Sequence, residues 1–372
     1  MVTAADGALS IASLACFRGK RVFLTGHTGF KGSWLALWLH ELGAEVFGYA
    51  LPPYYANSHF ERLGLDRIVH HIEGDVRDLN HLRRAMTEAE PEFVFHLAAQ
   101  ALVRKSYADP IETFSTNVLG TAHVLESVRH IDSVRALVCV TSDKCYLNKE
   151  WDWSYRENDE LGGHDPYSAS KAAAENTFLA YYHSYLKHRP NLGAATARAG
   201  NVIGGGDWSA DRLVPDCIRA LVAKEPIVLR NPGSTRPWQF VLEPLGGYLV
   251  LAAKLLEHTA RFAGSWNFGP QAMGIKTVDQ VAKQIIKVWN SGQIKYELAE
   301  NPGQHEAKLL QLAIDKAIGQ LGWQPAYSVE KCLAETVSWY RAMHEGADVP
   351  ALSRSQIRNY AAAAALVYGD QP

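Results

Sequence analysis

Several things are scarce in this 372-residue chain, and each scarcity narrows what it can do. Charge of one sign is the first. Lys and Arg number 37 against 39 Asp and Glu, giving a net charge of −2. Nothing in that balance argues for nucleic acid or an anionic membrane as a partner, and any basic site has to be local. An uninterrupted stretch of ~18 apolar residues is also missing, which argues against a helical membrane span. The apolar segment Ala8 to Phe17 follows Asp6 and no Lys or Arg, so it lacks the positive head of a signal peptide. Residues 1–17 read as a flexible arm. Cysteine is sparse and scattered: Cys16, Cys139, Cys145, Cys217 and Cys332 form no C-x-x-C pair. This reads as reduced thiols in a cytoplasmic protein, with no metal site.

What remains is an ordinary globular composition, 47% hydrophobic and 20% charged, in a chain longer than one core usually supports. One large α/β domain or two domains are expected. Short apolar runs at Arg21 to Gly26, Gly43 to Tyr49, Ile68 to Glu73, Phe93 to Ala98 and Ala136 to Ser142 read as strands. Helix-like stretches lie between them at Lys31 to Leu42, Leu79 to Ala89 and Ile111 to Arg129. Nearly all-apolar strands alternating with helices predict a parallel sheet covered on both faces, a doubly wound Rossmann-type fold. After Ala194 to Arg198 the alternation fades, and the chain becomes rich in Pro, Gly, Trp and Arg. Residues 18–200 are therefore expected to form the nucleotide-binding domain, with some later segments returning to it. Residues 201–346 should form mainly a smaller C-terminal substrate domain that includes a helix near Thr277 to Trp289. Residues 347–372 read as a tail.

Gly26-His-Thr28-Gly29-Phe30-Lys31-Gly32 falls at the first strand-to-helix turn. Glycine there lets backbone approach a pyrophosphate, and the helix N-terminus offers N–H groups and positive potential. The second strand ends Tyr49-Ala50-Leu51, without the acidic residue that usually holds an adenine ribose. Lys31, or with less support Arg77, is the alternative partner for a ribose hydroxyl or a 2′-phosphate. This leaves NAD against NADP open.

Asp165-Pro166-Tyr167 opens a further helix, with Asp165 as cap and Pro166 at the first position. Tyr167 and Lys171 then stand at i and i+4 on one face. An ammonium beside a phenol favours the phenolate, so Tyr167 is a candidate general base for a sugar hydroxyl.

Taken together, the glycine loop, Asp75-Val-Arg-Asp78, His96 to Gln100, Asn117, and Tyr167 with Lys171 resemble the extended short-chain dehydrogenase/reductases. Val140 to Tyr146, Arg198 to Trp208 and Arg230 to Trp238 resemble, more narrowly, the nucleotide-sugar 4,6-dehydratases that act on CDP-glucose. The likeness runs from about Phe17 to about Gly346. It implies NAD held by Gly26, Thr28, Gly29, Phe30, Lys31, Gly32, Asp75, Val76, Leu97, Ala98, Ala99, Gln100, Asn117, Tyr167 and Lys171. It implies catalysis by Ser142, Asp143, Lys144, Tyr167 and Lys171. It implies CDP-glucose binding by Arg104, Asn201, Arg212, Arg230, Arg236 and His305. A homodimer or homotetramer serving deoxy-sugar (O-antigen type) and lipopolysaccharide biosynthesis is the further implication. Three departures touch the expected substrate pocket: Ala169, Phe240 with Glu243, and Ala313-Ile-Asp315. A related epimerase or reductase, and a non-enzymatic NAD-sensing protein, stay open as alternatives. The Asp143-Lys144 pair after Ser142 favours a dehydratase over an epimerase or reductase, which would have no need for it.

Overall fold

In the computed structural model, residues 12–271, 276–297 and 310–368 are described. A seven-stranded parallel sheet forms the centre. Its strands in chain order are β1 (Arg21–Thr25), β2 (Glu45–Ala50), β3 (His70–Glu73), β4 (Phe93–His96), β5 (Ala136–Val140), β6 (Gly193–Arg198) and an edge strand Gly264–Asn267. Across the sheet they run edge strand, β6, β5, β4, β1, β2, β3. The order reverses at β1, and in such sheets the crevice at the strands' carboxyl ends is where ligands bind. β1, β4, β5 and β6 are buried on nearly every residue, as strands covered on both faces must be.

The helical stretch expected over Ile111 to Arg129 is present but not uniform. It divides into Pro110–Phe114, a π-helical turn Ser115–Leu119, and Gly120–Arg129. The wide turn carries Asn117 inward, and its buried amide shows why the widening matters.

Both chain ends depart from expectation. Part of the segment read as a flexible arm is a short helix, Ala12–Phe17, whose Leu14 and Phe17 are buried, with Phe17 on Phe93 and Phe95. The segment read as a tail contains the helix Val349–Tyr368. It buries Ile357, Tyr360 and Ala364, and Tyr360 packs edge-on against Trp38 of the helix Phe30–Glu41. In each case apolar spacing, not position in the chain, decides the outcome.

Two of the three departures from the dehydratase pattern also resolve. Glu243 is buried in the core, where its carboxylate accepts from the Ala326 and Tyr327 N–H groups and from the Tyr360 hydroxyl. Phe240 is fully buried beside Tyr327. Ala313 extends a bridge, its N–H donating to Tyr155 O at 2.8 Å. Glu243 and Phe240 are parts of the buried core. Among the described residues no helix is long and apolar enough to cross a membrane.

Candidate active site at the carboxyl edge of the sheet

The first turn is built for close approach. Gly26 has φ +79, and a Cβ there would stand 2.7 Å from Ala98 N, so only glycine fits. Gly29 starts the helix Phe30–Glu41 with no side-chain cap, and Gly32 lies over the Gly26 carbonyl. The helix thus presents uncapped N–H groups beside a glycine cradle, which fits a dinucleotide pyrophosphate. Thr28 donates its hydroxyl to Leu51 O at 2.9 Å and ties this turn to the end of β2. Thr25 accepts from the Leu97 and Ala98 N–H groups, both at 3.2 Å, and aligns β1 with the loop after β4.

The ribose side is organised differently from what the sequence suggested. Tyr49 fills the end of β2, with its hydroxyl donating to Asp75 O at 3.0 Å. Asp75 is held by Arg77, whose backbone N–H and guanidinium both donate to it. Val76 is buried, and its carbonyl faces His123 Nδ1 at 2.9 Å. Lys31 does not turn toward this side. Its ammonium donates to the Tyr248 hydroxyl at 2.8 Å, and its charged neighbours are Lys171, Arg212 and Asp143.

Asn117 bolts the cofactor side to the Tyr-Lys helix. Its Oδ1 accepts from Gln100 N, while Nδ2 donates to Gln100 O at 3.0 Å and to Ser170 Oγ at 2.8 Å. Gln100 uses its own amide on Leu102 and Thr113, so its role here is to shape the loop. Leu97, Ala98 and Ala99 lie on the same loop and are half-buried.

The helix Pro166–Ser184 forms as its cap predicts, with Asp165 accepting from Ser168 N at 2.9 Å. Tyr167, Lys171 and Glu175 follow at intervals of four on its buried face. Opposite them β5 is followed by Thr141-Ser142-Asp143. Ser142 donates to Asp143 Oδ1 at 2.9 Å, accepts from Lys144 N, and also meets the Tyr167 hydroxyl. Gly200 makes room for the acid: a Cβ there would sit 1.9 Å from Asp143 Oδ2. Lys144 is half-buried in the short turn Asp143–Cys145.

Sequence reasoning missed what holds this arrangement. Glu175 and Arg198 form a fully buried ion pair at 2.7 Å. Against the burial that would raise it, Arg198, Thr141 and Thr196 hold the Glu175 carboxyl below its ordinary value. Thr141 is the residue before Ser142, so the pair anchors the strand end that carries the candidate catalytic groups. The only local hint was the four-residue step from Lys171.

The expectation that Lys171 brings Tyr167 toward neutrality is not met. Burial pushes the Tyr167 phenol up to about 12, and the Asp143 carboxylate adds to that, with Ser142 and Arg212 opposing. Burial also lowers Lys171 to about 8. Desolvation is the largest influence on both groups.

The expected nucleotide-binding residues are spread over loops. Arg212 precedes the helix Leu213–Ala223 and pairs with Asp207 at 2.9 Å. Arg104 pairs with Asp211 at 2.6 Å in the open. Asn201 has φ +50, and its carbonyl accepts from Gln239 N. Arg236 sits in a two-residue strand against Lys276–Thr277 and donates to Thr235 O, while Arg230 is exposed. His305 lies outside the described residues.

The family model described as GDP-mannose 4,6 dehydratase matches residues 23–336. The chain is 47% identical to a curated CDP-glucose 4,6-dehydratase of Salmonella typhimurium, over 93% of this chain and 98% of that protein. Among solved structures, a dTDP-glucose 4,6-dehydratase from Bacillus anthracis in complex with NAD superposes with TM-score 0.71 at 22% identity, covering 87% of this chain and 97% of that one. A UDP-glucose 4-epimerase from Thermotoga maritima with UDP-glucose superposes with TM-score 0.74 at 22% identity, covering 87% and 99%. At that identity the two structures establish the fold.

Proposed function

The chain belongs to the GDP-mannose 4,6-dehydratase family, and from that premise we propose that it is an NAD-dependent hydro-lyase converting CDP-glucose to CDP-4-keto-6-deoxyglucose. The likeness to the Salmonella CDP-glucose enzyme over nearly both full lengths supports the substrate. The observation that carries the chemistry is the cluster of Ser142, Asp143 and Tyr167 at one strand end, with Lys171 a turn further along the Tyr167 helix.

In this reading the Gly26–Gly32 turn and the uncapped helix start hold the pyrophosphate, with Asp75, Val76, Leu97, Ala98, Ala99, Gln100 and Asn117 along the rest of the cofactor. Bound NAD would supply a reversible two-electron acceptor for the hydride of C4 and its return to C6. Tyr167 takes the proton from the 4-hydroxyl, which needs a phenol brought down from about 12 once the site is filled. Lys171 contributes positive charge to that end. Ser142 hydrogen-bonds the developing 4-keto oxygen, which acidifies the C5 proton. Asp143 then protonates the departing 6-hydroxyl, and water leaves across C5 and C6. Arg104, Asn201, Arg212, Arg230, Arg236 and His305 contribute to holding the nucleotide diphosphate, guanidinium forks suiting phosphate oxygens. The product is a 4-keto-6-deoxy sugar nucleotide, the type of precursor that deoxy-sugar and lipopolysaccharide synthesis consume.

The reading includes a cytoplasmic homodimer or homotetramer. Tyr107, Ile111, Phe114 and Leu119 expose apolar side chains along neighbouring turns, and sedimentation of the free protein as a monomer would remove this part.

The test of the whole is a side-by-side incubation with CDP-, dTDP-, UDP- and GDP-glucose. A 4-keto product should form without net NADH, and deuterium at C4 should reappear at C6. The kcat/KM for CDP-glucose should exceed that for dTDP-glucose at least ~100-fold, or about 2.7 kcal/mol. Comparable values would overturn the nucleotide assignment, and an absent ketone the reaction.

A further inference from the structure

Residues 52–57 join β2 to the helix His59–Leu63 and carry none of the groups assigned above, yet the segment is pinned at both ends beside the cofactor turn. Just before it, Leu51 O accepts the Thr28 hydroxyl at 2.9 Å. Just after it, Ser58 and Glu61 form a reciprocal helix cap. His59 is buried there, with Nδ1 2.8 Å from Ser33 Oγ and Nε2 3.3 Å from Ser353 Oγ. Thr28 belongs to the glycine turn and Ser33 to the helix Phe30–Glu41 that follows it. Asn57, at φ +57, is a turn residue at the return end.

Between these anchors the chain reaches across the sheet. β2, β1 and β4 are neighbours in that order. Tyr54 carries its ring to within 5.5 Å of the Lys105 ammonium, on the helix Val103–Ala108 that follows β4. From β2 to β4 is two strand spacings, about 10 Å, and the glycine turn at the end of β1 lies between them. The three steps from Leu51 to Tyr54 also cover about 10 Å when extended. Pro52 and Pro53 favour that extension, because each fixes its own φ and turns the residue before it away from helix. Lys105 is a fixed post, its ammonium held by the Glu112 carboxylate at 2.8 Å. Tyr55 backs the contact edge-on, its ring 4.8 Å from that of Tyr54. Tyr54 itself is 70% exposed, so core packing does not account for its place.

We propose that residues 52–57 are a gate over the dinucleotide crevice, with Tyr54 on Lys105 as its clasp, through which the cofactor enters and leaves. The use of this gate, though not its existence, rests on the dehydratase reading. Hydride taken from C4 has to return to C6 of the same sugar, so the reduced cofactor must stay in place between the two transfers. Its escape after the first would leave a 4-keto sugar with the 6-hydroxyl still attached, and an enzyme without cofactor.

The experiment measures cofactor passage, with NADH fluorescence as the probe. Association is followed on mixing NADH with the protein, and release on mixing the NADH-loaded protein with excess NAD. A gate has to open in both directions. Tyr54→Ala and Lys105→Met should therefore each speed association and release alike, about two- to fivefold, as expected for a cation–π contact at an exposed site. The Kd, as the ratio of the two rates, should stay within about twofold of wild type. The double variant should match either single one, since both remove the same contact. Tyr54→Phe and Lys105→Arg keep a ring and a cation and should behave as wild type. Unchanged rates in Tyr54→Ala and Lys105→Met overturn the gate. Faster release with unchanged association overturns it as well, because that marks an ordinary contact with the cofactor. These measurements need no sugar. Absence of a ketone from CDP-glucose, with both rates shifted as expected, would remove the dehydratase reading and leave the gate standing.

Discussion

The two walls of the crevice are held by different means. On the sheet side, Glu175 and Arg198 are at most 1% exposed and reach Thr141, Thr196, Tyr146 and Ser265. Asn117 and Ser170 lock the neighbouring loop to the same helix. On the other side, the Arg104–Asp211 pair is about half exposed, Arg212 is 39% exposed, and Arg230 projects outward. Proton transfer needs donors and acceptors held to fractions of an ångström, so its groups sit on strand ends and a helix backed by buried polar bonds. A nucleotide has to enter and leave, so the cations proposed to meet it sit on loops where water still screens them.

Four substitutions would break or sharpen that contrast. Tyr167→Phe removes the proposed base without disturbing the buried network. Turnover of CDP-glucose should fall by up to about 10⁴-fold with KM nearly unchanged, measured by steady-state kinetics. A variant that turns over normally would sink the assignment of Tyr167.

Glu175→Ala strikes the rigid wall itself. It leaves a guanidinium buried without its partner and should cost about 3–5 kcal/mol in denaturant unfolding, while Glu175→Ala with Arg198→Met should recover much of that. Near-wild-type stability of the single variant would mean the sheet side is not held as described.

Arg212→Met tests the looser wall where it is best anchored. Loss of a charge-assisted bond to phosphate should raise KM for CDP-glucose about 10- to 100-fold with little change in kcat. A fall in kcat of that size with unchanged KM would move Arg212 into the reacting centre.

The smallest effect is expected at Arg230→Ala. An exposed cation contributes little, so KM should change by less than about fivefold. A larger change would show that Arg230 becomes buried against substrate, and the contrast between the walls would narrow.

Much of the first half of the fold could be read locally. The alternation of apolar strands with helices places β1 to β5 within two residues or so of where they form, and the sheet order follows from such units. The glycine turn and the Asp165-Pro166 cap are also local, because a turn or a cap is decided by residues within four positions of each other. Tyr167 and Lys171 share a face for the same reason.

What the sequence alone determined, then, is the element pattern and the type of chemistry its motifs can support, since those depend on short-range periodicity and backbone stereochemistry. Tertiary structure decided the rest. Glu243 reads as a pocket residue until the backbone of Ala326 and Tyr327 closes on it. Lys31 reads as a ribose contact until Tyr248, 217 positions away, takes its ammonium. Arg198 finds Glu175 only when β6 lies beside β5, and the acidity of Tyr167 is set by how far its surroundings exclude water. Burial and long-range pairing belong to the assembled molecule, because the desolvation that shifts a charge depends on every chain segment packed around it.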